Sequence, residues 1–220
     1  MNKEQKMNVT IIGAGNMGRG IGTRLVAGGH WVTFVDANPE TAEKTAADVR
    51  TAATNGAKVS TASLGDANLG DVVVLAVWYG TNIELAKQLG SKLAGKVVVD
   101  IANPLNSSFD GLATEPDSSS AEDVAKAIAS GAKVVKAFNT TYAGTLLAGE
   151  VAGQPLDVFI AGDDADAKNK VAELVKDGGM RPVDVGPLSR ARQIEGMQFL
   201  HIVAQGNLGT NWASSIKILS

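Results

Sequence analysis

The chain has no cysteine among its 220 residues. A disulfide framework, a thiolate nucleophile and a cysteine-ligated metal are therefore excluded, and the expectation is a cytoplasmic protein. Histidine is nearly as scarce: His30 lies in a turn between predicted elements and His201 inside the last helix. Neither stands in a recognisable catalytic setting, and both read as structural or solvent-facing. No Gly-x-Ser-x-Gly elbow, His-Glu-x-x-His helix or Gly-Lys-Ser/Thr phosphate loop occurs, which removes the common hydrolase, zinc-protease and nucleoside-triphosphatase readings. An excess of basic charge is missing too. At a net charge of -3 there is no electrostatic footprint for nucleic acid. No apolar run approaches the ~20 residues that a membrane-spanning helix needs, and the polar opening Met1–Lys6 reads as a frayed lead-in, not a signal peptide or anchor. No metal is expected either, because Asp163, Asp164 and Asp166 sit where a helix N-terminus attracts carboxylates in any case.

What is present is organised around Val9-Thr10-Ile11-Ile12-Gly13-Ala14-Gly15-Asn16-Met17-Gly18, an apolar strand running into a glycine turn and then a helix. This spacing suits a dinucleotide pyrophosphate. Gly13 permits the tight turn, Gly15 lets a phosphate approach bare backbone, and Gly18 lets the helix pack close to the strand. Asn16 and Met17 stand at the helix start, where free N–H groups and the positive end of the dipole attract an anion. Alone, such a match also fits a strand–turn–helix with incidental glycines. The rest of the fingerprint follows, since the β-branched run Trp31–Val35 stops at Asp36, about where a carboxylate meets the adenosine ribose. A carboxylate there accepts from both ribose hydroxyls of NAD and repels the 2′-phosphate of NADP. Asp36 therefore favours NAD; the alternative is an ordinary strand-end aspartate.

Strands and helices alternate along the remaining chain, the pattern of a doubly wound α/β fold. Asp71–Val77 and Lys96–Ile101 are nearly unbroken apolar runs, hence central parallel strands buried on both faces. Polar or aromatic residues follow each strand at the edge where ligands bind. Val77, Trp78 and Tyr79 follow the first, with Trp78 and Tyr79 either walling a cofactor or packing on the next helix. Asn103, Pro104 and Leu105 follow the second and overlook the nicotinamide end, and Asn139, Thr140 and Thr141 follow Lys133–Phe138. Ser107–Ser120 is too long for a routine connection and is a candidate lid; its end should cap a helix over Ala121–Ala129. The last helix, expected over Gln193–Ala204, carries apolar residues all round its second half and should be buried there on every side.

The expected architecture is a Rossmann-type, doubly wound, mainly parallel sheet over residues 8–142. A small strand–helix extension over 143–220 packs on it, completing the acceptor pocket. No side chain is assigned as a general acid or base, a composition that suits hydride transfer between a nicotinamide and an acceptor needing little proton transfer from the protein. A reductase of a small carbonyl or imine would need a proton donor near the hydride. A non-catalytic dinucleotide sensor stays open as a third reading.

With these residues in view, the chain resembles the coenzyme F420-dependent NADP oxidoreductase family over nearly its whole length. Ile12–Gly18 is a form shared with other dehydrogenases, whereas Asn103-Pro104-Leu105, Lys136–Thr140 and Asp184–Arg192 are more particular to this family. The resemblance implies direct hydride transfer between C4 of the nicotinamide and C5 of a deazaflavin stacked face to face, with coenzyme F420 or a flavin as co-substrate. On the matching positions, Gly13, Gly15, Asn16, Met17 and Gly18 would hold the pyrophosphate, and Val77 and Trp78 would flank the ribose and nicotinamide. Asn103, Pro104, Leu105, Asn139 and Thr140 would line the acceptor pocket. The family typically binds the 2′-phosphate with a Ser/Thr-Arg pair after the second strand, and Asp36-Ala37 stand there instead. A homodimer through the last helix is the further expectation. A small-molecule redox acceptor is the other partner, with no nucleic acid and no membrane.

Overall fold

The computed structural model describes residues 6–128 and 131–219. Most of the expected lead-in, and Ala129 at the expected end of a helix, lie outside the described residues. The first half is built from β1 (Asn8–Ile12), α1 (Asn16–Ala27), β2 (Trp31–Val35), α2 (Pro39–Arg50) and β3 (Lys58–Ala62). Then come β4 (Val72–Leu75), α3 (Tyr79–Leu89) with a 3-10 turn at Gly90–Leu93, β5 (Val97–Asp100), α4 (Ser120–Ala127) and β6 (Lys133–Lys136). The remainder is α5 (Ala143–Ala148), a small hairpin of β7 (Glu150–Val151) and β8 (Gln154–Pro155), β9 (Asp157–Gly162), α6 (Ala165–Asp177), β10 (Arg181–Gly186) and α7 (Ala191–Leu208).

Eight strands form one sheet in the order β10-β9-β6-β5-β4-β1-β2-β3. All neighbours run parallel except β6 and β9. Every residue of β4 and β5 is buried, as helices on both faces of a parallel sheet require. Full burial of each Val or Leu there stabilises the fold by about 1.5–3 kcal/mol. On one face the core packs Ile21, Leu25 and Val26 of α1 with Val171 and Leu174 of α6; on the other, Ala86 and Leu89 of α3 meet Val124 of α4. The chain order reverses between β1 and β4, and a crevice opens there at the carboxyl ends of the strands.

The antiparallel step at β6–β9 sends β10 out at the opposite edge. Gly186 pairs with Ala161, which pairs with Lys136, so the turn Gly186–Arg192 begins level with the carboxyl ends of the parallel strands, and Arg192 bonds Glu122 in the first turn of α4. From that turn α7, whose 18 residues span about 27 Å, runs along the cleft, placing Gln198 and Ile202 on its wall.

The expectation that the second half of α7 is buried all round is overturned. Leu200, Val203 and Leu208 are exposed, whereas the inward stripe is Glu195, Gln198, His201 and Gln205. Apolar composition does not tell which side of a helix faces the core when the core side has polar partners to satisfy. No helix among the described residues is long and apolar enough to cross a membrane.

Candidate functional site

Backbone geometry makes one end of the crevice. Gly13 sits at φ +103°, and a Cβ on it would lie 2.4 Å from the carbonyl oxygen of Ala76; a Cβ on Gly18 would lie 2.0 Å from that of Gly13. Both positions exclude any side chain. Gly15 differs, because a Cβ there would meet nothing within 4 Å, so its missing side chain keeps space open towards the crevice. Helix α1 begins at this point without a side-chain cap and without an acidic residue in its first turn. Helices α2, α4 and α6, by contrast, are capped by Asn38, Ser119 and Asp164. The uncapped N–H groups at Asn16 and Met17, with the open space at Gly15, fit a phosphate group.

Asp36 follows β2 and already has work inside the protein. One carboxylate oxygen accepts from the Ala14 N–H at 2.8 Å and the other from the Asn38 N–H at 2.9 Å. Thr45 donates to the Ala14 carbonyl at 2.7 Å, so the glycine turn is held from both sides. Each Asp36 oxygen keeps a lone pair for a ribose hydroxyl.

From Gly15 the crevice widens into a cleft of about 520 Å³. Ala76, Val77 and Trp78 follow β4 on one wall; Ile101, Ala102, Asn103 and Leu105 follow β5 on the next. Asn139, Thr141 and Tyr142 follow β6, placed by a sharp bend at Phe138, a buried aromatic at φ +62°. Such a left-handed bulky residue costs about 1–3 kcal/mol and persists only where its surroundings fix it. Thr141 does so, donating its hydroxyl to the Phe138 carbonyl at 2.6 Å. Asn103 and Asn139 lock together: Asn103 donates to the Asn139 carbonyl and Asn139 to the Asn103 side chain, both at 2.9 Å. The Asn139 side-chain oxygen, though buried, is left without a partner. Burial pushes the Tyr142 hydroxyl up to about 12, so it stays protonated, with Gln198 and Gln205 beside it.

Behind this wall lies a buried ionic cluster. The ammonium of Lys136, on the last residue of β6, is 2.8 Å from Asp100 and 2.7 Å from Glu195, and it donates to the Ala102 carbonyl. Asn82 of α3 donates to Asp100 at 2.6 Å, and the N–H of Ser120 donates to Glu195 at 3.1 Å. Burial alone would lower the lysine, but Asp100 and Glu195 outweigh it and keep Lys136 charged. Burial pushes the carboxyl of Glu195 up, opposed by Lys136. Two carboxylates sharing one ammonium thus tie α3, β5, β6, α4 and α7 directly beneath Ala102 and Asn103.

Of the residues expected at the site, Gly15, Asn16, Met17, Val77, Trp78, Asn103, Leu105 and Asn139 line the cleft. Gly13 and Gly18 shape the turn behind it, and Asp36 adjoins the turn at Ala14. Pro104 and Thr140 are buried behind the wall. Sequence reasoning did not pick out Phe109, Tyr142, Gln198, Ile202 and Trp212, all on the cleft, or Lys136 beneath it. The polar residues Glu195, Gln198, His201 and Gln205, at helical spacing, were the available signal for α7. The two histidines are structural. His30 accepts from the Met7 N–H and meets Asp177 at 3.1 Å, and His201 bonds Gln198 and Ser214.

A larger depression, about 880 Å³, opens at the amino edge over β1, β2 and β3. Its floor is already satisfied: Thr33 pairs with Ser60 at 2.9 Å, and Thr10 accepts from the Gly70 N–H at 2.9 Å. The smaller cleft, with the glycine turn and the unpartnered polar atom, is the functional candidate.

Comparison with known proteins agrees with this geometry. Residues 8–104 match the family model described as NADP oxidoreductase, coenzyme F420-dependent. A solved structure of a candidate F420-dependent NADP reductase from Arthrobacter sp. FB24 is 31% identical, with a TM-score of 0.82 over 97% of this chain and 100% of that one. The F420-dependent NADP reductase of Methanocaldococcus jannaschii is 35% identical over 57% of this chain and 58% of its own length. Metalloreductase STEAP3 of Rattus norvegicus is 31% identical over 85% of this chain but only 35% of its own. The chain thus spans between about a third and somewhat over half the length of these two curated relatives.

Proposed function

The chain belongs to the coenzyme F420-dependent NADP oxidoreductase family, and from that premise we propose that it transfers hydride between a nicotinamide dinucleotide and a planar redox acceptor, a deazaflavin or a flavin. The observation that carries the reading is continuity: one cleft runs from the uncapped start of α1 to a mouth rimmed by aromatic side chains. The two curated relatives differ in what their names say they reduce, a metal in one and NADP, in dependence on F420, in the other. The acceptor is therefore read from the cleft.

The dinucleotide supplies the hydride chemistry, and the protein's part is to position and to exclude water. The N–H groups of Asn16 and Met17 would receive the pyrophosphate over Gly15. Asp36 would accept from the ribose hydroxyls and disfavour a 2′-phosphate, which makes NAD the preferred cofactor. Val77 and Trp78 would bound the ribose and nicotinamide, and Asn103, clamped to Asn139 and seated over Lys136, would fix the far end. Leu105, Asn139 and Thr140 belong to the acceptor side of this scheme. Among the described residues no lysine, histidine or carboxylate lines the cleft, so a small carbonyl or imine substrate would find little besides the Tyr142 hydroxyl as a proton source.

Residues 8–142 act in this scheme as the dinucleotide-binding part and 143–220 as the extension that completes the acceptor pocket. The outward apolar residues Leu200, Val203 and Leu208 would pair α7 with that of a second copy. Titration with NADH and NADPH, followed by a hydride-transfer screen against flavins, deazaflavins, aldehydes and imines, tests the function. Binding of neither cofactor at millimolar concentration would refute it. Tight binding without turnover on any acceptor would make the protein a sensor.

A further inference from the structure

Aromatic residues are rare here, ten in the whole chain, yet four of them, Trp78, Phe109, Tyr142 and Trp212, gather on one cleft. Trp78, Phe109 and Trp212 are respectively 74%, 59% and 50% exposed. Large apolar rings left open together around a concavity mark a surface that a ligand covers. Trp212 reaches the cleft by an unusual route. The chain leaves α7 at Gly209, φ +62°, and turns back through two non-glycine residues in the left-handed region, Asn211 at φ +48° and Trp212 at φ +64°. A conformation of this kind holds only when other contacts enforce it.

Those contacts form a closed chain of hydrogen bonds. Ser214 meets His201 Nε2 at 2.8 Å, and His201 Nδ1 meets the Gln198 side-chain oxygen at 3.2 Å. Gln205 donates to the Ser214 hydroxyl at 3.0 Å and accepts from Thr210 at 2.8 Å. A neutral His201 that donates through Nδ1 and accepts from Ser214 satisfies every partner in turn, and burial lowers its basicity, which keeps it neutral. Further along, Lys217 and the Ile218 N–H are bound to Asp157 at 2.8 and 2.9 Å, so the strap is fastened on both sides of Trp212. Its indole meets the Tyr142 ring edge-on at 5.2 Å, and Tyr142 in turn lies against His201 at 4.8 Å.

We propose that Trp212 is an acceptor-binding residue that covers one side of a fused planar ring, and that His201, Gln205 and Ser214 are positioning residues that latch it over the cleft. The assignment rests on the hydride-transfer reading above and adds a selectivity: a ring system wide enough to touch Trp212 is favoured, and a small aldehyde gains nothing from it.

Riboflavin and a 5-deazaflavin serve as probes, with tryptophan fluorescence reporting binding and NADH titrated in parallel. Trp212→Ala should raise the Kd and KM for both probes about tenfold, the scale of one lost aromatic stacking contact, with kcat and the NADH Kd within twofold of wild type. Trp212→Phe should recover most of the loss. Ser214→Ala should weaken probe binding by a few-fold and shift the tryptophan emission, and Ser214→Thr should restore both. Unchanged probe affinity in Trp212→Ala, with wild type binding the probes, overturns the assignment and leaves the hydride-transfer reading standing. An equal loss for NADH and the probes also overturns it, because Trp212 would then be a general structural support. Wild type that binds NADH but neither probe overturns both.

Discussion

The two ends of the cleft are made of different material. The glycine-turn end, proposed to hold the pyrophosphate, is almost entirely backbone: Gly13, Gly15 and Gly18 contribute absences, and the groups on offer are N–H donors that nearly every residue carries. The end proposed for the acceptor is side chains, drawn from the ends of β4, β5 and β6, from α7 and from the strap after it, and seated on the Lys136 cluster. Backbone sterics fix the first end within a few consecutive residues. Long-range packing fixes the second, which makes it the adjustable part of the molecule.

The contrast is open to direct attack. The largest effect should come from Lys136→Met, which strands Asp100 and Glu195 without a counterion in a buried site. Urea unfolding should show a loss of about 3–5 kcal/mol, and a loss under 1 kcal/mol would mean that the cluster does not support the acceptor end. Next, Asp36→Ala should weaken NAD binding by about 1–3 kcal/mol, the scale of charge-assisted hydrogen bonds, and NADP binding by less. Equal losses in isothermal titration would reduce Asp36 to its role as a loop tether.

Gly15→Ala separates folding from binding at the backbone end. Its Cβ meets nothing in the protein, so the fold should lose less than about 1 kcal/mol, the scale of a changed helix cap. NADH affinity should fall about tenfold, or ~1.4 kcal/mol, as the methyl group enters the phosphate's space; unchanged affinity would move the pyrophosphate elsewhere. The smallest effect concerns acid stability of the strap. Burial alone would raise the Asp157 carboxyl, but bonds from Arg181, Lys217 and the Ile218 N–H prevail and hold it at about 2. A depressed folded-state value means that this stabilisation is complete above the unfolded Asp value of about 3.9 and is lost as pH falls through about 2. Asp157→Asn should therefore flatten the fall of Tm between pH 4 and pH 2; an unaltered slope would show that the clasp carries no linkage.

The same division explains what the sequence disclosed. The glycine turn, Asp36 and the apolar runs of β4 and β5 were legible because each rests on local sterics or on burial of consecutive residues. Asn103 and Asn139 were legible as polar strand ends. Their mutual lock was not, since 36 residues separate them. Phe109 and Trp212 gave no local signal, as nothing in their neighbours marks a left-handed turn that aims an aromatic ring. Lys136 does carry one: a charge at the end of a strand flanked by buried strands needs a buried partner, and Glu195 on the far helix supplies it.

The double bonding of Asp36 also bears on how this protein could change over generations. The carboxylate proposed to tell NAD from NADP is the same one that holds the Ala14 N–H and so tethers the glycine turn. A lineage moving towards NADP by replacing Asp36 first gives up the anchor of its own phosphate loop. The accessible route runs in the other order, with a new tether for Ala14 before the carboxylate is surrendered, and on the proposed role of Asp36 cofactor preference would be an epistatic trait of the turn and not the property of one residue.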